Sequence, residues 1–419
     1  MTSGQNPTDR IAAVSAGFLG WTLDAFDYFL VVYCLTLIGR EFHRSDAQMA
    51  VAITVTLLFR PIGAFLFGLL TDRFGRRIPL MMNLLLFAAA EIATASAGSY
   101  RMFLIVRGLF GIVMGGMWGA STTLTMEKVP VRLRGLLSGL LQQGYALGSL
   151  LAALAYFFLV GRLGWRPLFL LGVLPALLAL AVCTRVTESE VWKQTRSSNW
   201  GELRNSILSN WKLFLYLALL MTFMSFTSHG TQDMYPTFLQ RYWHFDAARR
   251  SMISAIGSTG ALFGGVTFGY FSDLKGRRRA IITALLLGVV VIPLWALSPN
   301  TTLLIAGAFL IQFVVQGAWG VIPAHLSELS PDSVRGFLPG FAYQCGILLA
   351  SSIGIVQALV AEHMSYATTM AMTAGAVFIG GAIVTALGKE RHGMAFGGNQ
   401  KQSPPTGVPF ATGEVGLSG

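Results

Sequence analysis

Apolar residues run along this chain in long blocks, broken by short polar segments. The blocks cover roughly residues 11–36, 47–70, 79–97, 102–125, 136–159 and 167–185, and then 211–237, 249–272, 280–297, 302–326, 337–360 and 366–388. Each is close to or above the about 20 residues that an α-helix needs to cross a bilayer. The pattern predicts an all-α integral membrane protein of twelve transmembrane helices. It divides into a short N-terminal segment (1–10), a six-helix bundle (11–185), a polar linker with an interfacial helix (186–210), a second six-helix bundle (211–388) and a disordered tail (389–419) rich in Gly, Pro, Ser and Gln.

Composition agrees: 54% of residues are hydrophobic and only 12% charged, and mean hydropathy is +0.61. The first block is too long for the apolar core of a signal peptide and has no small-residue cleavage site, so it reads as uncleaved. The net charge of +11 does not point to nucleic acid, because its distribution is one-sided. Lysines and arginines crowd the segments after blocks two (Arg73, Arg76, Arg77), four (Lys128, Arg132, Arg134), six (Arg185 to Lys212), eight (Lys275, Arg277 to Arg279) and twelve (Lys389, Arg391, Lys401). This positive-inside bias predicts that both termini are cytoplasmic, in a multi-pass protein of the inner (plasma) membrane surrounded by lipid. Cys34, Cys183 and Cys345 are scattered and read as small core residues. No Walker loop, nucleotide fingerprint or metal-ligand spacing is present, so neither cofactor nor metal is expected. The glycines of "GIVMGGMWG" (111–119) lie within a block and read as sites of close helix approach.

The chain repeats itself. "GLLTDRFGRR" (68–77) matches "GYFSDLKGRR" (269–278), and "EKVPVRLRG" (127–135) matches "ELSPDSVRG" (328–336). Asp72 and Asp273, Glu127 and Glu328, Arg134 and Arg335, and Gln143 and Gln344 each lie 201 residues apart. Such a constant spacing implies two pseudo-symmetric halves, an arrangement that places substrate near the bilayer midplane between them. These paired motifs resemble those of the major facilitator superfamily over residues 11–388. The resemblance implies that Asp72, Arg76, Asp273 and Arg277, together with Glu127 paired to Arg134 and Glu328 paired to Arg335, act as gates on the cytoplasmic side and do not touch substrate.

Seven ionisable residues fall well inside blocks, away from their ends: Asp24, Asp27, Arg60, Glu91, Arg107, His229 and Asp233. Ionisable groups are expensive in hydrocarbon and are functional candidates by default. With every acid ionised and His229 neutral, this interior carries excess negative charge, which a proton can balance. Ser225, His229, Gln232, Asp233 and Pro236 follow helical steps of three and four and share one face. Histidine titrates near neutral pH, and a carboxylate one turn away favours its charged form. The competing reading is a His–Asp pair that only pins helix packing. "TSHGTQDMYPT" (227–237) also resembles the signature of Jen-type lactate/pyruvate:proton symporters of the sialate:proton symporter family, through Ser228, His229, Gln232, Asp233 and Thr237, with Ser225 where that family has Asn. The resemblance implies monocarboxylate–proton symport, with His229 and Asp233 in coupling and substrate contact.

Arg60, in "LLFRPIGAF", has a planar fork suited to a carboxylate. It either meets substrate or holds a permanent salt bridge to Asp24 or Asp27, which share a face at i, i+3. Arg107 in "RGLFG" resembles the arginine of proton-coupled relatives that partners an acid in the first span, here Asp27. Glu91 either hydrogen-bonds in its protonated form or pairs with Arg107. "QQGY" (142–145) and "YQCG" (343–346) place Gln143, Tyr145, Tyr343 and Gln344 at pseudo-equivalent sites as hydrogen-bond donors to substrate oxygens. The expectation is a monomeric, non-enzymatic symporter importing a small organic anion such as lactate or pyruvate with protons. The alternatives are another organic acid (sialate or aromatic), an uncoupled facilitator or a transporter-like sensor.

Overall fold

The structure, a computed structural model, describes residues 7–197 and 199–397. The expectations for residues 1–6 and 398–419 lie outside the described residues. The first half holds α1 (Pro7–Glu41), α2 (Asp46–Phe74), α3 (Arg77–Ala95), α4 (Tyr100–Lys128), α5 (Arg134–Leu163) and α6 (Arg166–Thr184). Two short helices, α7 (Glu190–Thr195) and α8 (Trp200–Ser209), form the link. The second half holds α9 (Trp211–Gln232), α10 (Tyr235–Arg241), α11 (Ala247–Lys275), α12 (Arg277–Ala296), α13 (Thr301–Leu329), α14 (Leu338–Ala350), α15 (Ile353–Ala361) and α16 (Tyr366–Leu387). Among the described residues, eleven helical segments are long and apolar enough to cross a membrane, and α14 is a shorter apolar helix.

Two expected spans are broken. Block 211–237 divides between α9 and α10 because Pro236 has no N–H to offer the Gln232 carbonyl, so the helical ladder stops there. Block 337–360 divides between α14 and α15 at Ser351 and Ser352. Their hydroxyls donate back to the carbonyls of Leu348 (2.7 Å) and Leu349 (2.9 Å), competing with the helical ladder at that point.

Within each half, glycines bring helices into backbone contact. A Cβ on Gly63 of α2 would collide with the backbone of Ile112 on α4, and a Cβ on Gly264 of α11 would collide with Phe313 on α13. Both members of this pair repeat with the 201-residue spacing, so the duplication extends from motif to packing. Lipid chains give helices no hydrophobic reason to associate, so such close van der Waals fit must hold them.

The halves are locked together on the face where the chain ends lie. Asp72 of α2 accepts the backbone N–H groups of Gly336 (2.7 Å) and Phe337 (2.9 Å), just ahead of α14. Asp273 of α11 accepts those of Gly135 and Leu136, both at 2.8 Å, at the start of α5. Each aspartate thus meets the unpaired N–H groups that a helix start exposes. Arg76 ties Asp72 (2.6 Å) to Glu127 (3.0 Å), and Arg277 ties Asp273 (2.8 Å) to Glu328 (2.9 Å). Gly75 and Gly276, which precede these arginines, have φ of 108° and 96° and so occupy backbone space that favours glycine.

The expected pairs Glu127–Arg134 and Glu328–Arg335 do not form. The carboxylates exchange partners instead: Arg134 reaches Glu328 at 3.0 Å and Arg335 reaches Glu127 at 3.3 Å. Each arginine opens a segment that crosses to the other bundle, which carries it away from the glutamate of its own motif. A second correction concerns residues 389–397, expected to begin a disordered tail. They lie against this lock because Phe396 stacks on the guanidinium carbons of Arg134 (3.8 Å) and Arg335 (3.7 Å), while the Met394 carbonyl accepts from Arg134 (3.0 Å).

Two outcomes follow for the lock and the glycine contacts. Asp72→Ala with Asp273→Ala leaves buried arginines short of a partner, a change of about 3–5 kcal/mol for a broken buried pair. Spin labels on the loops at 131–133 and 332–334 should then report a longer distance between the halves, and an unchanged distribution would contradict the lock. Gly63→Val or Gly264→Val should lower the melting temperature in detergent through overpacking of about 1–3 kcal/mol.

Candidate functional site

Between the bundles lies a cavity of about 450 Å³, walled by α1, α2 and α5 from one half and by α9, α13 and α14 from the other. Its apolar surface is largely aromatic: Trp21, Tyr28, Phe29, Tyr145, Trp319 and Tyr343 all face it. Tyr343 anchors the group, stacked on Trp118 at 4.5 Å and edge-on to Trp319 at 5.8 Å. Aromatic rings offer rigid apolar area with quadrupolar faces and edges, well suited to holding a small planar molecule.

Arg60 is the cationic group of the N-terminal wall. It is only 5% exposed. Its Nη2 donates to Asp24 at 3.0 Å and its Nε to the Gln344 carbonyl oxygen at 3.0 Å. Its Nη1 meets only the Met114 sulfur, at 3.9 Å, a weak acceptor. One arm of the fork therefore has no oxygen partner among the described residues. The salt bridge to Asp24 and the cavity position coexist, so the two sequence readings of Arg60 are not exclusive.

His229 and Asp233 stand on the opposite wall. His229 Nδ1 lies 3.1 Å from Asp233 Oδ2, and the two side chains are 37% and 49% exposed. They were expected deep in an apolar span. The break at Pro236 places them instead on the solvent-reached part of the cavity, where ionisation is far less costly. Gln232 lines the cavity beside them and donates to Gln312 at 2.9 Å. Tyr28 lies within electrostatic range of both Asp233 and Arg60, between the two charged walls.

Asp24 and Asp27 do not share an environment. A three-residue step leaves them about 60° apart around the helix, and that angle separates their partners. Asp24 faces the cavity, whereas Asp27 turns into the N-terminal bundle and accepts both Nη groups of Arg107, at 3.0 and 2.7 Å. Asp27 and Arg107 are 0% and 1% exposed. Glu91 of α3 is buried within electrostatic range of the same pair.

Of the other expected contacts, Tyr145 and Tyr343 line the cavity. Gln344 lies behind Arg60 as its acceptor and does not itself line the cavity. Gln143 is a correction. It points toward Gly265 of α11, and its neighbour Gln142 faces the cavity while accepting from the Trp118 indole at 3.1 Å. One residue along a helix is a turn of about 100°, and the repeat carried no information about that rotation. Sequence reasoning also passed over Trp21, Tyr28, Gln316 and Trp319. A signal existed for two of them, since Trp21, Asp24 and Tyr28 follow i, i+3, i+7 spacing on one helix face.

Comparison with known proteins gives this architecture its lineage. The chain is 30% identical over 365 residues to a probable 4-methylmuconolactone transporter of Cupriavidus pinatubonensis, covering 85% of each chain. It is 27% identical over 347 residues to the sialic acid transporter NanX of Escherichia coli, covering 81% of this chain and 84% of that one. It is 29% identical over 403 residues to a carboxylic acid transporter protein homolog of Saccharomyces cerevisiae, and spans 65% of that relative's length. The fold matches the proton:xylose symporter XylE with a TM-score of 0.77 at 18% identity, over 94% of this chain and 98% of that one. A sugar (and other) transporter model matches residues 214–388. The major facilitator model itself matches residues 17–242, more than half the chain, and the chain belongs to the major facilitator superfamily.

Proposed function

We propose that this protein is a proton-coupled symporter for small organic monocarboxylates, with lactate and pyruvate among them. Members of this superfamily are transporters and not enzymes, so the chemistry is binding, proton exchange and a change of access. The observation that carries the reading is Arg60: a permanent cation on the cavity wall with one arm of its fork lacking an oxygen acceptor. A carboxylate is the group that fork fits best. His229 and Asp233 on the facing wall supply a titratable pair that can offset the anion's charge. A bound anion then engages both bundles at once, as a carrier that rocks between two openings requires.

The cavity is closed toward the chain ends by the Asp72 and Asp273 contacts and is reached by solvent at Asp233. With both termini in the cytoplasm of a plasma-membrane protein, this is the outward-facing arrangement, and Asp72, Arg76, Asp273, Arg277, Glu127, Arg134, Glu328 and Arg335 form the inner gate. One proton per anion makes the cycle electroneutral. Each unit of pH gradient then contributes about 1.4 kcal/mol per proton.

A second reading is favoured by the aromatic lining: a planar unsaturated or aromatic acid fits six ring-bearing side chains better than a three-carbon acid does. Relatives named for 4-methylmuconolactone, cis,cis-muconate and niacin support it.

Four outcomes test these readings. In proteoliposomes, an inward-directed proton gradient should concentrate a labelled acid, and uptake that merely equilibrates whatever the gradient excludes symport. A competition panel of lactate, pyruvate, benzoate and muconate separates the two substrate readings. Arg60→Lys should keep the charge but lose the fork, cutting uptake at least tenfold, the scale of about 1.4 kcal/mol. His229→Ala and Asp233→Asn should abolish gradient-driven accumulation in folded protein, and normal accumulation by both would remove the pair from the mechanism.

A further inference from the structure

We propose that Glu91 is a proton-carrying site inside the N-terminal bundle, sharing one proton with Asp27 across Arg107. This rests on the symport reading and adds to it a group that does not touch the cavity. Glu91 is 0% exposed, on α3, and neither of its carboxyl oxygens receives a hydrogen bond from an N–H or hydroxyl donor. Groups on α6, α4 and α1 surround it. From α6 it meets the bare backbone of Gly172, where a Cβ would lie only 2.7 Å from Glu91 Oε1. From α4 it faces Arg107, whose two Nη groups are already given to Asp27 at 3.0 and 2.7 Å. From α1, Asp27 lies within electrostatic range of it. The Phe110 ring, with its centroid 4.3 Å from the Arg107 guanidinium carbon, closes the group on another side, and Phe87 packs on Phe110 at 4.7 Å.

Two carboxyls around one guanidinium leave an excess negative charge when both are ionised. In a dry interior that charge has nothing to solvate it. A single added proton makes the trio neutral and turns the acid–acid contact into a hydrogen bond. Glu91 is the member that holds it, since Asp27 already has both oxygens in charge-assisted bonds.

The trio is tied to substrate through α1. Asp27 lies one turn from Asp24, and Asp24 holds the Nη2 of Arg60 at 3.0 Å. An anion arriving at Arg60 adds negative charge beside Asp24 and so strengthens retention of the proton; its departure weakens that hold. Anion and proton therefore stabilise each other's binding, which is the reciprocal linkage that symport needs. On release, the O–H bond of Glu91 breaks and the proton passes to the Asp27 carboxylate, which loses it to water once a change of access wets that face of α1; the Glu91 carboxylate remains beside Arg107 and no other bond changes.

The test uses the full-length protein in proteoliposomes with radiolabelled lactate and benzoate. Glu91→Gln copies the protonated shape but holds no exchangeable proton. It should retain counterflow of the labelled acid at equal pH, lose gradient-driven accumulation, and show exchange that no longer depends on pH. Glu91→Asp should restore part of the pH dependence. A measurement independent of any ligand is the infrared carbonyl band of a protonated carboxylic acid, which should titrate in wild type and be missing from Glu91→Gln. Accumulation by Glu91→Gln at the wild-type level, or an unaltered carbonyl band, overturns the assignment. Wild type that accumulates neither acid while its carbonyl band titrates as described counts against symport of these acids and leaves Glu91 as a proton site.

Discussion

The carboxylate of Asp72 accepts two backbone N–H groups that belong to the opposite bundle, and Asp273 makes the same contact in the reverse direction. A helix start exposes N–H groups with no partner of their own, and an anion is the natural one. These contacts close one face of the molecule. The buried arginines Arg76 and Arg277 hold each aspartate in place from behind, and the exchanged pairs Arg134–Glu328 and Arg335–Glu127 add two more bonds across the same seam. With that face shut, the aromatic cavity lies above it between the bundles.

The same shortage of partners organises the charges higher up. Arg60 is held by Asp24 but not saturated by it, and Arg107 gives both Nη groups to Asp27 while its Nε and both Glu91 oxygens lack a partner among the described residues. One wall therefore has an unused donor arm and the bundle behind it has an unused acid. On the other wall, the helix break between α9 and α10 leaves His229 and Asp233 in an exposed part of the cavity. A buried ion pair contributes little net stability once desolvation is counted. On the proposed symport reading, what these pairs supply is a set of charge states that differ by a single proton or a single anion.

The duplication runs deeper than the motifs. The spacing of 201 residues relates Asp72 to Asp273, Gly75 to Gly276, Gly63 to Gly264, and the backbone each glycine meets, Ile112 to Phe313. The charges in and behind the cavity break it: Arg60, Asp24, Asp27, Glu91 and Arg107 are all in the first half, while His229 and Asp233 are in the second. The structural frame is thus symmetric and the chemistry is divided between its halves.

Hydropathy, glycine spacing and the internal repeat were sufficient to read the number of apolar segments, the two halves and the identities of the buried ions, because each depends on residue type along one dimension. The partners were legible only in part. Asp27 was matched with Arg107, as found, but Arg60 was left between Asp24 and Asp27, Gln143 looked like the cavity residue in place of Gln142, and Glu127 and Glu328 were matched with the arginines of their own motifs. Each of these depends on how far a helix is rotated about its axis and on which helix end crosses to the other bundle. A step of about 100° per residue turns a one-position ambiguity into a different neighbour, so only the packed tertiary structure decides which charge meets which.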